Sequence, residues 1–285
     1  MMIFSKSSFL PALFVAFISA VIAGCSSSAT VLDHPATNST LWMQNAAEYH
    51  ALTTSVYKTA GANLALAVED SYWSAYAGDK KDEYQSKPPA IILDVDETVL
   101  NNAPFQARMV KQNSDFNITD WNQWVMEAQA TAIPGALTFT KRASQKGIAI
   151  YYLTNREAKV EEGTRKNLRK LGFPLSEDED RILSKNERQN WTSAKTERRS
   201  YVAQKHRILM LFGDDLNDFI SAKNISQQER TELVTKHLEK WGKKWFILPN
   251  PAYGSWESAL YGFDNSLTPN QINKAKKEQL ETKQK

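Results

Sequence analysis

Four stretches of the chain are apolar almost without a break: Ala90-Ile91-Ile92-Leu93, Ile148 to Leu153, Ile208 to Phe212 and Trp245 to Leu248. Arg181-Ile182-Leu183 is a shorter candidate. Runs of this length without polar alternation are expected of strands buried on both faces, as in a parallel sheet. The segments between them read as helices. One runs from 135 to 146, after a Pro-Gly start and before Gly147. A second covers 157–171 and ends at Gly172, and a third covers 192–205 with Thr192 or Ser193 as its cap. Strands alternating with helices predict an α/β fold with a parallel sheet. Residues 40–78 carry Leu41, Trp42, Ala46, Tyr49, Leu52, Val56 and Leu64 at three- or four-residue spacing, with Trp73 near the end, and predict a long N-terminal helix. Residues 101–133 break the rhythm and read as a helical insertion over one end of the sheet, which the N-terminal segment 40–88 joins to make a small α-helical cap. The core is then 89–265, and the Lys/Gln/Glu-rich tail 266–285 reads as frayed or loosely helical.

The first residues follow a different pattern. Lys6 precedes an apolar run from Phe9 to Ile22, which leads to Ile22-Ala23-Gly24-Cys25. A basic start, a short apolar stretch and small residues at a cut describe a secretory signal. The run is short for a membrane span, which needs ~20 apolar residues. The cysteine at the cut resembles a bacterial lipoprotein signal. That reading implies a signal peptide 1–24, lipidation of Cys25, a flexible tether 25–39 and a membrane anchor without a crossing. Ordinary export with an incidental Cys25 is the alternative. Ser26, rather than Asp, follows the cysteine; by resemblance to enterobacterial sorting this favours the outer membrane of a Gram-negative envelope. Cys25 is the chain's only cysteine, which excludes an internal disulfide framework.

Composition adds limits. The chain has 285 residues, 42% hydrophobic and 24% charged, which are globular proportions. The net charge of +3, from 35 basic and 32 acidic residues, is too balanced to argue for a nucleic-acid polymer as partner.

The chemistry sits where the apolar runs stop. Asp94-Val95-Asp96-Glu97-Thr98 follows the first, and Gly213-Asp214-Asp215-Leu216-Asn217-Asp218 follows the third. Carboxylates are costly in a core, but at the C-terminal mouth of a parallel sheet they stand where ligands bind. If the two strands are neighbours, Asp94, Asp96, Asp214 and Asp218 converge and call for a cation. An all-oxygen set suits Mg²⁺. The second run ends in Leu153-Thr154-Asn155-Arg156, where a hydroxyl before a helix start can hold a phosphate oxygen. Lys195, placed on the helix before the third run, could neutralise phosphate charge and hold a carboxylate. Singly, each feature is ordinary: an Asp-x-Asp is usually a solvated turn, Asp214 and Asp215 could cap a helix, and Lys195 could be a surface charge. Their joint order is not ordinary.

That order resembles the haloacid dehalogenase superfamily. More narrowly it is similar to the bacterial class C acid phosphatases, the outer-membrane lipoprotein e group. The likeness includes Ile133-Pro134-Gly135-Ala136 and the stretch Leu248-Pro249-Asn250-Pro251-Ala252-Tyr253-Gly254-Ser255-Trp256-Glu257, and runs from about residue 40 to 262. Asp215 departs from it, since the group often has Asn there. The resemblance implies a Rossmannoid core with a cap, and a Mg²⁺-dependent acid phosphatase working through an aspartyl-phosphate. Asp94 would be the nucleophile and Asp96 the general acid and then base. Thr154 and Lys195 would meet the phosphoryl group. Asp94, the Asp96 carbonyl and Asp214 would hold the metal, with Asp218 acting through its water shell or on Lys195. An Asp rather than Thr at 96 suits poor leaving groups, hence phosphomonoesters. Trp121 and Tyr253 match positions that sandwich a nucleobase in the related enzymes, so nucleoside 5′-monophosphates are the implied substrates, with Asn155 also at the substrate. Both rings packed in the core is the alternative reading. The related lipoproteins also imply a homodimer. Two other functions stay open: transfer of the phosphoryl group to an alcohol, and a non-catalytic surface lipoprotein that binds haem or another ligand. Haem would need an axial residue, and His34, His50, His206 and His237 are scattered, as free surface histidines would be.

Overall fold

The computed structural model describes residues 1–2, 34–80 and 83–283. The signal, Cys25 and most of the tether lie outside them. The chain divides into the units Met1–Val31 and Leu32–Lys285, and the described strands and helices all belong to the second.

All five predicted strands form. They are β1 (Pro89–Leu93), β4 (Ala149–Glu157), β5 (Ile182–Lys185), β6 (Arg207–Gly213) and β7 (Trp245–Ile247), in one parallel sheet of order β5-β4-β1-β6-β7. β1 is central, in register with β4 (Leu93 opposite Tyr152) and with β6 (Leu93 opposite Phe212). The order reverses around β1, so a crevice opens beyond its C-terminal end. Successive side chains of a strand face opposite ways. Ile91 and Leu93 therefore join one buried layer with Ile150, Tyr152 and Phe212, while Ala90 and Ile92 join the other with Tyr151, Val202 and Trp245.

The N-terminal segment is two helices, α1 (Thr37–Asn45) and α2 (Ala47–Glu69), broken at Ala46 where ψ is 126°. The predicted helix to 78 stops early because Arg207, at the start of β6, gathers the end of α2. Its guanidinium donates to the carbonyls of Ala67 (3.0 Å), Val68 (3.0 Å), Asp70 (2.6 Å) and Trp73 (3.2 Å). A cation there satisfies orphan C-terminal carbonyls and suits the helix dipole. Trp73 lies beyond the helix, buried, with its indole N–H on the carbonyl of Leu209 at 2.7 Å. Nor does α2 sit in a cap: it packs on the sheet beside α5 (Ala136–Gln145). Tyr57 stacks on Phe212 with ring centroids 5.3 Å apart and donates to the carbonyl of Thr98 at 2.7 Å. Of the apolar stripe expected to join the insertion, only the α1 part does so, while Tyr49, Tyr57 and Leu64 of α2 are buried and Leu41 and Leu52 stay exposed.

The insertion does form. A short antiparallel pair, β2 (Leu100–Asn101) with β3 (Thr131–Ala132), makes its neck. It carries α3 (Ala103–Gln112) and α4 (Ile118–Glu127). α1 packs on α3, and α4 on α6 (Glu161–Leu171). At the second contact a Cβ on Gly163 would stand 2.6 Å from the carbonyl oxygen of Val125, so the close approach requires glycine.

Three boundaries move. β4 runs through Thr154-Asn155-Arg156, and α6 starts after a 3-10 turn at Ala158–Val160. α7 spans Thr196–Lys205, so Lys195 is its N-cap residue rather than an interior one. The tail is a regular helix, α10 (Pro269–Glu278), held by a capping box of Thr268 and Gln271 and tied by Lys276 to Glu257. The remaining helices are α8 (Gln227–Lys236) and α9 (Ser255–Ala259). No helix among the described residues is long and apolar enough to cross a membrane.

Candidate active site

β1 and β6 deliver the two acidic motifs side by side. The Asp94 N–H donates to the carbonyl of Phe212 at 3.0 Å, which extends the ladder up to the site. Carboxylate oxygens of Asp94, Asp214 and Asp218 lie within 4.8 Å of one another. Asp94 and Asp218 are buried and Asp214 half-buried. Gly213 makes room for this: a Cβ there would meet Oδ2 of Asp218 at 2.2 Å. Asp218 Oδ2 in turn accepts the Asp215 N–H at 3.0 Å and closes the turn.

Lys195 is the one side-chain cation bonded to this group among the described residues. Its buried Nζ binds Asp94 and lies 2.6 Å from Asp218 Oδ1. Burial works against its charge, but Asp218 and Asp94 more than offset it and hold the ammonium above its usual range. One cation does not balance three carboxylates. Burial, opposed by Lys195 and reinforced by Asp218 and Asp96, pushes Asp94 up to about 7. Burial, with Asp94, Asp218 and Glu97 adding repulsion, holds Asp214 well above the carboxylate range. Buried oxygens crowded beyond what one lysine neutralises fit a hard divalent cation. Asp94, Asp214 and Asp218 are the residues that could hold it.

Asp96 stands apart. Its carboxylate is outside that group and faces Arg156, whose Nε is 2.9 Å and Nη2 2.8 Å from Oδ1. Asn102 Nδ2 donates to the same oxygen at 2.9 Å and the Thr154 hydroxyl to Oδ2 at 3.3 Å. Thr154 is fully buried, so its hydroxyl touches Asp96 and the Arg156 N–H rather than open solvent. Arg156 is 1% exposed and lies over the Trp121 ring at 5.5 Å. These partners are what position Asp96, and sequence reasoning missed Arg156 and Asn102. Arg156 stood in the Thr-Asn-Arg motif, but a buried arginine is not distinguishable from an exposed one by spacing.

Glu97 was also passed over. It is fully buried with φ +55°, an uncommon conformation for a residue with a side chain. Burial, then Asp96, pushes its carboxyl well above the usual range. It accepts from the Asn102 N–H at 2.7 Å and from the hydroxyl of Tyr253. Asn155 is exposed; its side chain bonds the Ser193 carbonyl at 3.1 Å and accepts from Arg198 at 2.7 Å. Buried Arg198 also donates to the carbonyls of Thr154 and Thr192, and so joins β4 to the loop that carries Lys195. Asp215 bonds Ser255 and Asn217. Burial works against its charge, but those bonds hold it below the usual carboxylate range.

An open cleft of about 600 Å³ joins these parts. Asp94, Asp96, Lys195, Asp214 and Asp218 line its floor, and Trp121, Tyr253 and Asn155 its walls. Trp121 also packs edge-on to Phe105, with centroids at 5.0 Å. The histidines lie elsewhere and are not all at the surface. His206 is 8% exposed against Tyr151, and His34 bonds the Ser114 carbonyl at 3.2 Å.

Comparison with known proteins agrees with the fold. A family model, HAD superfamily, subfamily IIIB (acid phosphatase), matches residues 21–256. The class C acid phosphatase of Bacillus anthracis superposes with a TM-score of 0.77 at 34% identity, covering 89% of this chain and 99% of that one. A second structure of it, with tungstate bound, gives the same TM-score and identity over 87% and 98%. Among curated relatives, a stem 31 kDa glycoprotein of Glycine max is 28% identical over 57% of this chain, and acid phosphatase 1 of Solanum lycopersicum 26% over 57%. The match spans 58% and 57% of those two relatives' own lengths. The chain belongs to the acid phosphatases of the HAD superfamily, subfamily IIIB.

Proposed function

We propose that this protein is a Mg²⁺-dependent phosphomonoesterase acting on nucleoside 5′-monophosphates at the cell envelope. The observation that carries the reading is the convergence of Asp94, Asp214, Asp218 and Lys195 on the floor of a cleft walled by Trp121 and Tyr253. Asp94 attacks phosphorus. The ester P–O bond breaks, and its electron pair leaves on the nucleoside oxygen, which takes a proton from Asp96. Water then attacks the aspartyl-phosphate and gives its proton to Asp96, while the Asp94 carboxylate and phosphate are released. Arg156, Asn102 and Thr154 keep Asp96 aimed at the leaving oxygen. Lys195 holds Asp94 and offsets phosphoryl charge. Asp94, Asp214 and Asp218 would hold a divalent cation, which would supply Lewis-acid stabilisation of that charge. The B. anthracis relative with tungstate, a tetrahedral oxyanion, supports an oxyanion site in this fold.

The substrate part rests on the two aromatic walls; a base stacked on aromatic side chains is worth ~1–3 kcal/mol. The location rests on the Cys25 signal, which lies outside the described residues. Rates on 5′- and 3′-nucleotides, a sugar phosphate and an aryl phosphate, with Mg²⁺ and with EDTA, test the reading. We expect release from every 5′-monoester, fastest for nucleotides and lost in EDTA. Equal rates across the panel would sink the nucleotide preference, and full activity in EDTA the metal. Labelling with fatty acid that survives Cys25→Ser would sink the anchor.

A further inference from the structure

The loop that carries Tyr253 has no strand of its own to hold it against the cleft. It is fastened at both ends: the tip of the Tyr253 ring donates its hydroxyl to Glu97, and the backbone beyond the ring is tied to the acidic loop after β6. Asp215 accepts from the Ser255 N–H at 2.7 Å with Oδ2, and both its oxygens receive the Ser255 hydroxyl. Oδ1 is itself held by the N–H and side-chain amide of Asn217, each at 2.9 Å, and Arg230 approaches it at 3.9 Å. Asn217 Nδ2 also reaches the Ser255 hydroxyl at 3.3 Å. Between Tyr253 and Ser255, Gly254 has φ +147°, and a Cβ on it would come within 2.9 Å of Trp256 and 3.4 Å of Asp215 Oδ2. The loop therefore lies directly on the Asp215 carboxylate. On the other side of Tyr253, Asn250 donates to Asp214 Oδ2 at 2.8 Å while its Oδ1 accepts the Ala252 N–H at 3.0 Å.

We propose that Asp215 is a positioning residue for substrate choice: its clamp on Ser255 holds the Tyr253 ring at the cleft wall, and so sets the preference for phosphomonoesters that carry a flat base. This rests on the nucleotide reading of the site. The Asp215 carboxylate makes no bond to Lys195 and is absent from the Asp94–Asp214–Asp218 group; only its N–H reaches Asp218, and its side chain lines the cleft beside Tyr253 and Ser255. A charged acceptor takes both Ser255 donors at once. An Asn offers one oxygen and turns the other arm into a donor, which then faces either the Ser255 N–H or the two Asn217 donors and loses the bonds on that side.

The test compares Asp215→Ala, Asp215→Asn and Ser255→Ala with Tyr253→Ala, using adenosine 5′-monophosphate and β-glycerophosphate as substrates in saturating Mg²⁺. In Asp215→Ala, KM for the nucleotide should rise about tenfold more than KM for β-glycerophosphate, the loss of roughly one stacked base. Asp215→Asn should recover only part of that difference, and Ser255→Ala should show a smaller split in the same sense. Asp215→Ala combined with Tyr253→Ala should add little to Tyr253→Ala alone. Equal losses on both substrates, or a drop confined to kcat, would overturn the clamp, as would full additivity in the double variant. A split in Tyr253→Ala with none in Asp215→Ala or Ser255→Ala overturns the clamp and leaves the nucleotide reading standing. No split in Tyr253→Ala overturns both. Should Asp215→Ala fail to fold, Ser255→Ala and Asp215→Asn still decide, since each removes a single donor or charge.

Discussion

Two groups of three carboxylates crowd together among the described residues, and they could hardly be used more differently. Asp94, Asp214 and Asp218 meet at the C-terminal ends of β1 and β6; Glu161, Asp180 and Glu187 meet beside β5. In both, the oxygens lie within 4.8 Å of one another. The second group is half-buried to exposed, and Arg165 bridges two of its members, Glu161 at 2.7 Å and Asp180 at 2.8 Å. Glu161 also accepts from the Ser184 hydroxyl at 3.0 Å and begins α6, where a negative charge suits the helix dipole. Arg165 and Ser184, whose N–H donates to Glu187 at 3.0 Å, complete that cluster. The first group is largely sealed and shares a single lysine. Spacing of acids does not separate the two; burial and the charge left over do.

The largest expected difference is in turnover. Asp94→Asn should lower kcat/KM by on the order of 10³-fold or more, because an amide cannot form the acyl-phosphate. Glu161→Gln should stay within about twofold, since Glu161 lies outside the cleft that Asp94 lines. Phosphate release from an aryl phosphate measures both. A comparable loss in Glu161→Gln would erase the contrast between the groups.

Stability should separate the groups next. Lys195→Ala strands two buried carboxylates, and breaking a buried pair from one side costs about 3–5 kcal/mol. Arg165→Ala breaks pairs that reach solvent at Asp180, so its cost should fall well below that of Lys195→Ala. Urea unfolding in EDTA reads both values. If Lys195→Ala proves as mild as Arg165→Ala, the floor of the site is better solvated than its burial indicates.

How far the sequence carried this contrast depends on what kind of fact was needed. Asp94 and Asp214 were legible because an apolar run that stops at an acid is a strand that stops at a mouth, and two such mouths in a parallel sheet face the same way. The place of Lys195 was nearly legible: its partners are as expected, but it caps α7 instead of riding on it. The setting of Asp96 was not. Arg156, Asn102 and Thr154 come from β4 and from the neck of the insertion, and only the fold decides that they meet. The same holds for α2. Its apolar stripe showed that it covers something, but whether a sheet or an insertion depended on Tyr57 finding Phe212.

The pH-dependent effect is the most diagnostic, because it is read as a slope: crowding and burial raise Asp94 and Asp214 strongly, while in the second group burial raises Glu187. Burial and crowding raise Asp94 from the ordinary 3.8 to about 7. Between those values the folded protein binds protons that the unfolded chain has released. Stability due to Asp94 is therefore fully present below about 4 and is lost as pH rises through about 7. Other carboxylates impose their own acid dependence, so the useful quantity is the Tm gap between wild type and Asp94→Asn, both in EDTA. Asp94→Asn carries no charge to repel Asp214 and Asp218, and should be the more stable protein above pH 7. The gap should close as pH falls toward 4, at about 2–4 °C for each 1 kcal/mol in a chain of this size. Mg²⁺ should act in the opposite sense on wild type, raising Tm more at high pH because only the ionised carboxylates hold it. Arg165→Ala should leave that Mg²⁺ gain as it is. A gap independent of pH, or a Mg²⁺ gain that survives in Asp94→Asn at full size, would mean that Asp94 does not share its charge with a cation, and the contrast between the two acidic groups would reduce to one of exposure alone.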